Sequence, residues 1–346
     1  MEEGVIMKGL KLISPEVIKK IDLDIPQNIP KGHALIKINT ISLCGSDYKL
    51  FYGDYSGPCR YPLYFGHEWS GEVVEINDDT SNIKIGDKVT GDCSKWCGNC
   101  CLCKEDKNLC SNIEKFGITI DGYSRQYAIV ETKYLYVAPM ETSFDILALT
   151  ECFSVALHAI KKIGPMLYKK DRCILIIGGG AIGLSIYLLL KFKFNYCNIK
   201  LMEIDDSKKD FISKVFDVNF ASEKSFEVNN SSYSEISKHC NYDIIFEASG
   251  NIEAFQQALY LINPNGHIIT LGMYPNKNVT LSPVTLKSIK VHGTIGGTHE
   301  FDEVIKFLIL NKDEVKKMIT HTYGLDDASM GFQVKDKRIK TQINLW

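Results

Sequence analysis

The run Ile174-Leu-Ile-Ile-Gly178-Gly179-Gly180-Ala181-Ile182-Gly183, with more apolar residues behind it, leaves few folds open to this chain. Four β-prone residues lead into closely spaced glycines, and the apolar stretch that follows is too long for a strand. The segment therefore reads as strand, tight turn and helix. At this spacing Gly178 permits the turn, Gly180 lets the backbone approach a pyrophosphate, and Gly183 allows the helix to pack closely on the strand. The helix N-terminus receives the phosphate charge. Glu203 stands 23 residues after Gly180, at the end of the next strand-like run. There it can hydrogen-bond a ribose 2′-hydroxyl and repel a 2′-phosphate, which favours NAD over NADP. The rival reading makes Glu203 a solvated acid beside Asp205 and Asp206.

From about residue 154 the chain continues this alternation of strands and helices. The segments are Ile174 to Ile177, Ile182 to Phe192, Ile199 to Met202, Ser207 to Phe216, Asp243 to Ala248, Ile252 to Ile262 and His267 to Leu271. Such alternation marks βαβ units on a parallel sheet. Residues 5 to 150 differ. Short β runs at Ala34 to Leu43, Gly71 to Ile76, Lys88 to Gly91, Tyr127 to Val130 and Tyr134 to Val137 are separated by turn signals, which predicts an all-β, barrel-like region. A helix over Phe301 to Leu310 and a short apolar close at Ile343 to Trp346 follow the α/β region.

With 346 residues, 45% of them hydrophobic, the chain can bury the cores of two domains. The formal charge of -2 argues against a polyanionic partner such as nucleic acid and points to a small molecule. Cys173 to Leu190 is uncharged over a length at the lower limit for a membrane span, but its glycines favour the strand, turn and helix reading, so no membrane span is expected. Met1-Glu2-Glu3-Gly4 carries acid where a secretory signal carries base, and the expectation is a cytoplasmic protein.

Twelve cysteines in a long chain without a signal are better explained by metal thiolates than by disulfides. Cys97, Cys100, Cys103 and Cys110 fall within 14 residues of a polar loop. Four sulfurs held this close fill a tetrahedral zinc shell and leave no open position, as a structural site requires. Cys93 and Cys101 are spare thiols beside it.

A second metal set is dispersed. Cys44-Gly45-Ser46-Asp47, Gly66-His67-Glu68 and Thr150-Glu151-Cys152 each place metal-capable side chains near turns or element ends. Singly, each has a structural explanation as a buried thiol, a core histidine or a surface acid. Jointly they supply thiolate, imidazole and carboxylate, a set suited to a zinc ion with one position open to substrate.

Taken in order, Cys44-Gly-Ser-Asp47, Gly66-His67-Glu68, Gly86-Asp87-Lys88-Val89, the four-cysteine loop, Glu151 to His158 and the glycine run resemble the zinc-containing medium-chain dehydrogenase/reductase superfamily. The resemblance spans nearly the whole chain. Glu68 after His67, and Glu151 ahead of Ser154-Val-Ala-Leu-His158, are similar to the sorbitol dehydrogenase group. Within it, Tyr61-Pro62, Phe116-Gly-Ile-Thr-Ile-Asp-Gly122 and Ile295-Gly-Gly-Thr298 resemble the 2-deoxy-scyllo-inosamine dehydrogenases, which oxidise an aminocyclitol. Galactitol-phosphate and L-threonine dehydrogenases are more distant by the same comparison.

The resemblance implies a GroES-like β-barrel catalytic domain over residues 1–153 and 293–346, and a Rossmann doubly wound parallel-sheet domain over 154–292, with the active site between them. It implies two zinc ions per chain and NAD, a small polar alcohol as substrate, and a homodimer or homotetramer assembled through edge strands near Lys290 to Ile295. Cys44 and His67 would hold the catalytic zinc with Glu68 or Glu151, the former favoured. Ser46 would be the first proton acceptor. Ile182, Lys208, Gly250 and Gly272 would join Gly178, Gly180, Gly183 and Glu203 around the cofactor. Three departures turn the expectation away from sorbitol itself. Cys152 replaces a proline, Lys49 stands where relatives carry a relay histidine, and Gly296-Gly297 replace an Arg-Tyr pair directed at substrate. The competing classes are a zinc-free reductase and a non-catalytic binding protein on the same fold; the presence of Cys44 and His67 argues against both.

Overall fold

The computed structural model describes residues 6–222, 231–274 and 278–346. The chain divides into two compact units, one formed by Met1–Ser154 with Gly296–Trp346 and the other by Val155–Ile295.

The first unit is built on the strand His33–Leu43, whose sequence HALIKINTISL is buried at nearly every position. A strand buried on both faces reads as a continuous apolar run, and this one has partners along both edges. Glu68–Asn77 lies antiparallel along one edge. Tyr127–Glu131 and then Lys340–Asn344 lie antiparallel along the other. Lys88–Gly91 and Leu135–Ala138 extend the sheet beyond Glu68–Asn77, and Ile319–Gly324 extends it, parallel, beyond Lys340–Asn344. A smaller sheet carries Val17–Asp24, Ile6–Ser14 and Leu63–Tyr64. The core gathers Ile36, Ile38, Ile41, Phe65, Trp69, Val73 and Phe332, with Trp69 stacked on Tyr123 at 4.5 Å.

The second unit is a six-stranded parallel sheet. In chain order its strands are Ile174–Ile177, Ile199–Met202, Asn219–Phe220, Tyr242–Glu247, Ile262–Thr270 and Lys290–Gly293, and they lie in the spatial order 3-2-1-4-5-6. This is the dinucleotide-binding order of a doubly wound sheet, with its switch point between the first and fourth strands. Helices Ala181–Leu188, Asp206–Val215 and Ile252–Leu261 fill the crossovers. Asp205 and Asn251 cap two of them by accepting from Lys208 N–H and Ala254 N–H.

The uncharged stretch from Cys173 resolves into strand, glycine turn and helix, and among the described residues no helix is long and apolar enough to cross a membrane. The helix predicted to Phe192 passes at Leu188 into a π-type turn over Leu189–Lys193. The last strand lies earlier than the apolar close at Ile343 to Trp346. Lys340–Asn344 reads KTQIN, a polar sequence, yet it is buried because its polar groups find partners inside. Gln342 donates to Ser42 Oγ and to the Asp145 carbonyl.

The glycine turn is tight enough to test. A Cβ on Gly183 would stand 1.9 Å from the Gly178 carbonyl oxygen. Gly183→Ala should therefore cost about 1–3 kcal/mol of stability, the scale of an overpacked core position, read as a lower denaturant midpoint; an unchanged midpoint would contradict the close packing.

Candidate metal and cofactor sites

Hydrogen bonding brings two dispersed segments of the first unit together, Cys44–Asp47 and Gly66–Glu68; Glu151 is not among the ligand atoms that converge there. Cys44 is the residue on which helix Gly45–Tyr52 starts, and Asp47 in that first turn accepts from Cys44 N–H at 2.8 Å. Asp47, fully buried, also accepts from Gly66 N–H at 3.2 Å. One carboxylate thus ties the cysteine segment to the His67-Glu68 segment. Cys44, His67 and Glu68 each offer a ligand atom, and these atoms lie within 4.8 Å of one another. Ser46 sits beside them, its Oγ 3.4 Å from His67 Nε2.

Glu68 opens the strand Glu68–Asn77 and is fully buried, opposite an equally buried Lys340 from the C-terminal strand. Lys340 Nζ donates to both Glu68 carboxylate oxygens, at 2.6 and 2.8 Å. Glu151 lies in the first turn of helix Thr150–Lys161, also buried, with the Cys93 thiol near it. Lys49, on the helix that carries Ser46, is exposed.

The electrostatics of this pocket favour a cation. Burial pushes the Asp47 and Glu151 carboxyls up. Burial alone would lower the His67 imidazole, but the Asp47 carboxylate, with Cys44 and Glu151 behind it, lifts it to about 10. Lys340 is likewise held protonated against its burial by Cys152, Glu68 and Cys44. His67 Nδ1 is buried without a hydrogen-bond partner. A thiol, an imidazole and a carboxylate in a pocket that stabilises positive charge form a donor set that fits zinc.

The four-cysteine loop forms a second cluster. Cys97, Cys100, Cys103 and Cys110 converge within 4.8 Å, with Cys97 Sγ 3.9 Å from Cys103 Sγ and 3.6 Å from Cys110 Sγ. Helix Cys101–Glu105 starts on Cys100, whose sulfur accepts from Cys103 N–H. Backbone N–H groups of Ser111 and Cys103 bring the Cys100 thiol down to about 5, while burial raises Cys103 to about 12. Cys93 and Cys101 stay outside the set. The loop is fastened to the later part of the same unit by Asn108, whose Oδ1 accepts from Thr298 Oγ1 at 2.9 Å. That Asn108 oxygen lies 2.0 Å from where a Cβ on Gly296 would sit. Gly296 thus has a packing reason to carry no side chain.

In the second unit Gly180, at the helix start, has open space around its missing Cβ, and Ile182 follows in the first helical turn. Glu203 is not a solvated acid: its side chain is 8% exposed. It accepts from Gly179 N–H at 2.9 Å, from Ile204 N–H at 2.8 Å and from Asp205 N–H at 3.0 Å. Lys208 Nζ stands 3.8 Å from it. Gly250 and Gly272 follow the fourth and fifth strands and face each other.

Sequence reasoning passed over three groups that this geometry makes prominent. Asp47 lies inside a motif whose chemical signal is its cysteine and serine. Cys93 looks in sequence like a spare thiol beside the four-cysteine loop. Lys340 carries no local signal, because its partner is 272 positions away.

The profile of the alcohol dehydrogenase GroES-like domain matches residues 30–140, and that of the zinc-binding dehydrogenases matches residues 181–309. Together they cover about two thirds of the chain. A D-arabitol-phosphate dehydrogenase of Enterococcus avium is 27% identical over 97% of both chains. An L-threonine 3-dehydrogenase of Pyrococcus horikoshii is 29% identical over 91% of this chain and 90% of its own. The crystal structure of L-idonate 5-dehydrogenase from Escherichia coli superposes with a TM-score of 0.84 at 22% identity, over 99% of each chain.

A closed metal site contributes folding free energy, so Cys103→Ser should lower the thermal midpoint by several degrees and make the 97–110 loop an early site of proteolysis. A variant as stable and as protease-resistant as the parent would show that the cluster holds no metal.

Proposed function

The chain belongs to the zinc-containing medium-chain dehydrogenase/reductase superfamily, in its polyol-dehydrogenase-like branch, and from that premise we propose that it oxidises a secondary hydroxyl of a polyol, cyclitol or aminocyclitol with NAD as hydride acceptor. The observation that carries the reading is the convergence of Cys44, His67 and Glu68 in a buried pocket. The reaction converts the alcohol and NAD⁺ to a ketone, NADH and a proton.

When bound, zinc supplies Lewis acidity that eases loss of the alcohol proton, and NAD supplies the hydride acceptor. The remaining work falls to the chain. Cys44 and His67 would hold the metal, with Glu68 as the resting carboxylate ligand and Glu151 free to meet substrate or water. Asp47 keeps the Cys44 and His67 segments in register through its two backbone hydrogen bonds. Lys340 orients the Glu68 carboxylate and balances its charge. Ser46, beside His67, takes the alcohol proton first. The glycine turn and the N-terminus of helix Ala181–Leu188 would receive the pyrophosphate, and Glu203 the adenine ribose.

A second reading is a phosphorylated sugar alcohol as substrate, favoured by the full-length similarity to a D-arabitol-phosphate dehydrogenase. A panel of cyclitols, aminocyclitols, sugar alcohols and their phosphates, and L-threonine, followed by NADH absorbance, separates the two. The highest kcat/KM is expected on an unphosphorylated cyclitol or polyol; a phosphate ester or threonine at the top would overturn the proposed substrate class.

On the accepted substrate, Cys44→Ala and His67→Ala should each lose several orders of magnitude in turnover while NADH binding is kept. Of Glu68→Gln and Glu151→Gln, the ligand variant should lose metal and rate together, the other only ~10 to 100-fold in rate. Cofactor choice rests on Glu203: the parent should prefer NAD, and Glu203→Ala should narrow that preference. Equal use of NADP by the parent would remove this basis.

A further inference from the structure

Glu247 closes the fourth strand of the parallel sheet and is fully buried, and it takes no part in the proposed hydride transfer. Its carboxylate accepts from Ser249 N–H at 2.9 Å, from the Ser249 hydroxyl, from Gly250 N–H at 3.2 Å and from the Tyr274 hydroxyl at 2.6 Å. Every one of these neighbours is a donor, which suits an acceptor-only carboxylate. Three of the bonds hold the loop after the fourth strand. The other one reaches the loop after the fifth. Where the two loops meet, Gly250 has φ +67°, and a Cβ on Gly272 would stand 2.3 Å from Gly250 Cα. Burial and the Glu247 carboxylate together keep the Tyr274 phenol protonated, and its ring rests on Phe255 at 5.4 Å between centroids.

The strand order says what these loops are for. Ligands of an open α/β sheet lie beyond the carboxyl ends of the strands, at the switch point, here between the first and fourth strands. With the pyrophosphate at the glycine turn after the first strand and the adenine ribose at Glu203 after the second, the other half of a bound dinucleotide would extend over the fourth and fifth. We propose that Glu247, acting through Ser249, Gly250 and Tyr274, positions the two loops that receive the nicotinamide half of the cofactor. This rests on the reading of NAD as the cofactor. Glu247 acts through the loops and is a positioning residue.

The test compares NADH with ADP, which shares only the adenine half. Both are titrated into the parent, Tyr274→Phe and Glu247→Gln. Tyr274→Phe removes one donor and leaves the ring on Phe255. Glu247→Gln keeps the shape but turns an acceptor into a donor among donors. NADH affinity should fall roughly tenfold or more in each variant, the scale of a lost hydrogen bond to a charged group, while ADP affinity stays at the parent value and the thermal midpoint of Tyr274→Phe barely moves. Should Glu247→Gln not fold, Tyr274→Phe carries the comparison alone. Loss of ADP and NADH affinity to the same degree would overturn the proposal, as would unchanged NADH affinity in a folded variant. A parent protein that binds no NADH would overturn the cofactor reading instead.

Discussion

Glu68 and Lys340 meet in the interior of the first unit, and the metal-ligand pocket depends on their pairing. Two charges withdrawn from water are costly unless each satisfies the other, and removing one partner of such a pair costs about 3–5 kcal/mol. Here the ammonium bonds both carboxylate oxygens and neither group reaches solvent. The pair spans the central strand His33–Leu43, because Glu68 begins the strand on one side of it and Lys340 begins the strand on the other. The C-terminal strand is thereby bound into the arrangement that holds Cys44 and His67. A sheet assembled without Lys340 would leave a bare carboxylate beside a thiol and two further buried acids.

Buried carboxylates serve as loop anchors throughout both units. Asp47 joins two ligand-bearing segments. Asp92 accepts from Ser94 N–H, Trp96 Nε1 and Thr298 Oγ1 beneath the four-cysteine loop. Glu203 fastens the glycine turn to the end of the second strand, and Glu247 gathers the loops beyond the fourth and fifth. The scaffold thus answers a recurrent need, since loops that carry chemistry expose backbone N–H groups that must be satisfied away from water. An acceptor-only side chain with two oxygens can serve several of them at once.

This also explains what could be read from the sequence. The glycine turn, the four-cysteine loop and the parallel-sheet alternation are local patterns, in which spacing alone fixes the geometry, and their strands and helices lie close to the expected positions. Cys44, His67 and Glu68 were legible only jointly, as fragments of a known motif set. The strand Lys340–Asn344 is not legible beyond its apolar end, because its burial depends on partners from distant segments and its polar sequence argues for the surface. The hairpin Ile6–Ser14 with Val17–Asp24 is hard to read for a related reason: no residue of VIKKIDLD is fully buried, and its half-buried positions do not alternate regularly. The roles of Asp47 and Glu247 follow from where loops converge, which no window of sequence contains.

The central claim is that the first unit holds two metal sites of different kinds, one closed by four thiols and one open to substrate. Zinc content per chain, measured on protein purified without chelators, tests it most directly when the parent is set beside Cys44→Ala. The account predicts two zinc ions in the parent and one in the variant, with the fold intact. One or none in the parent, or two retained in the folded variant, would contradict it.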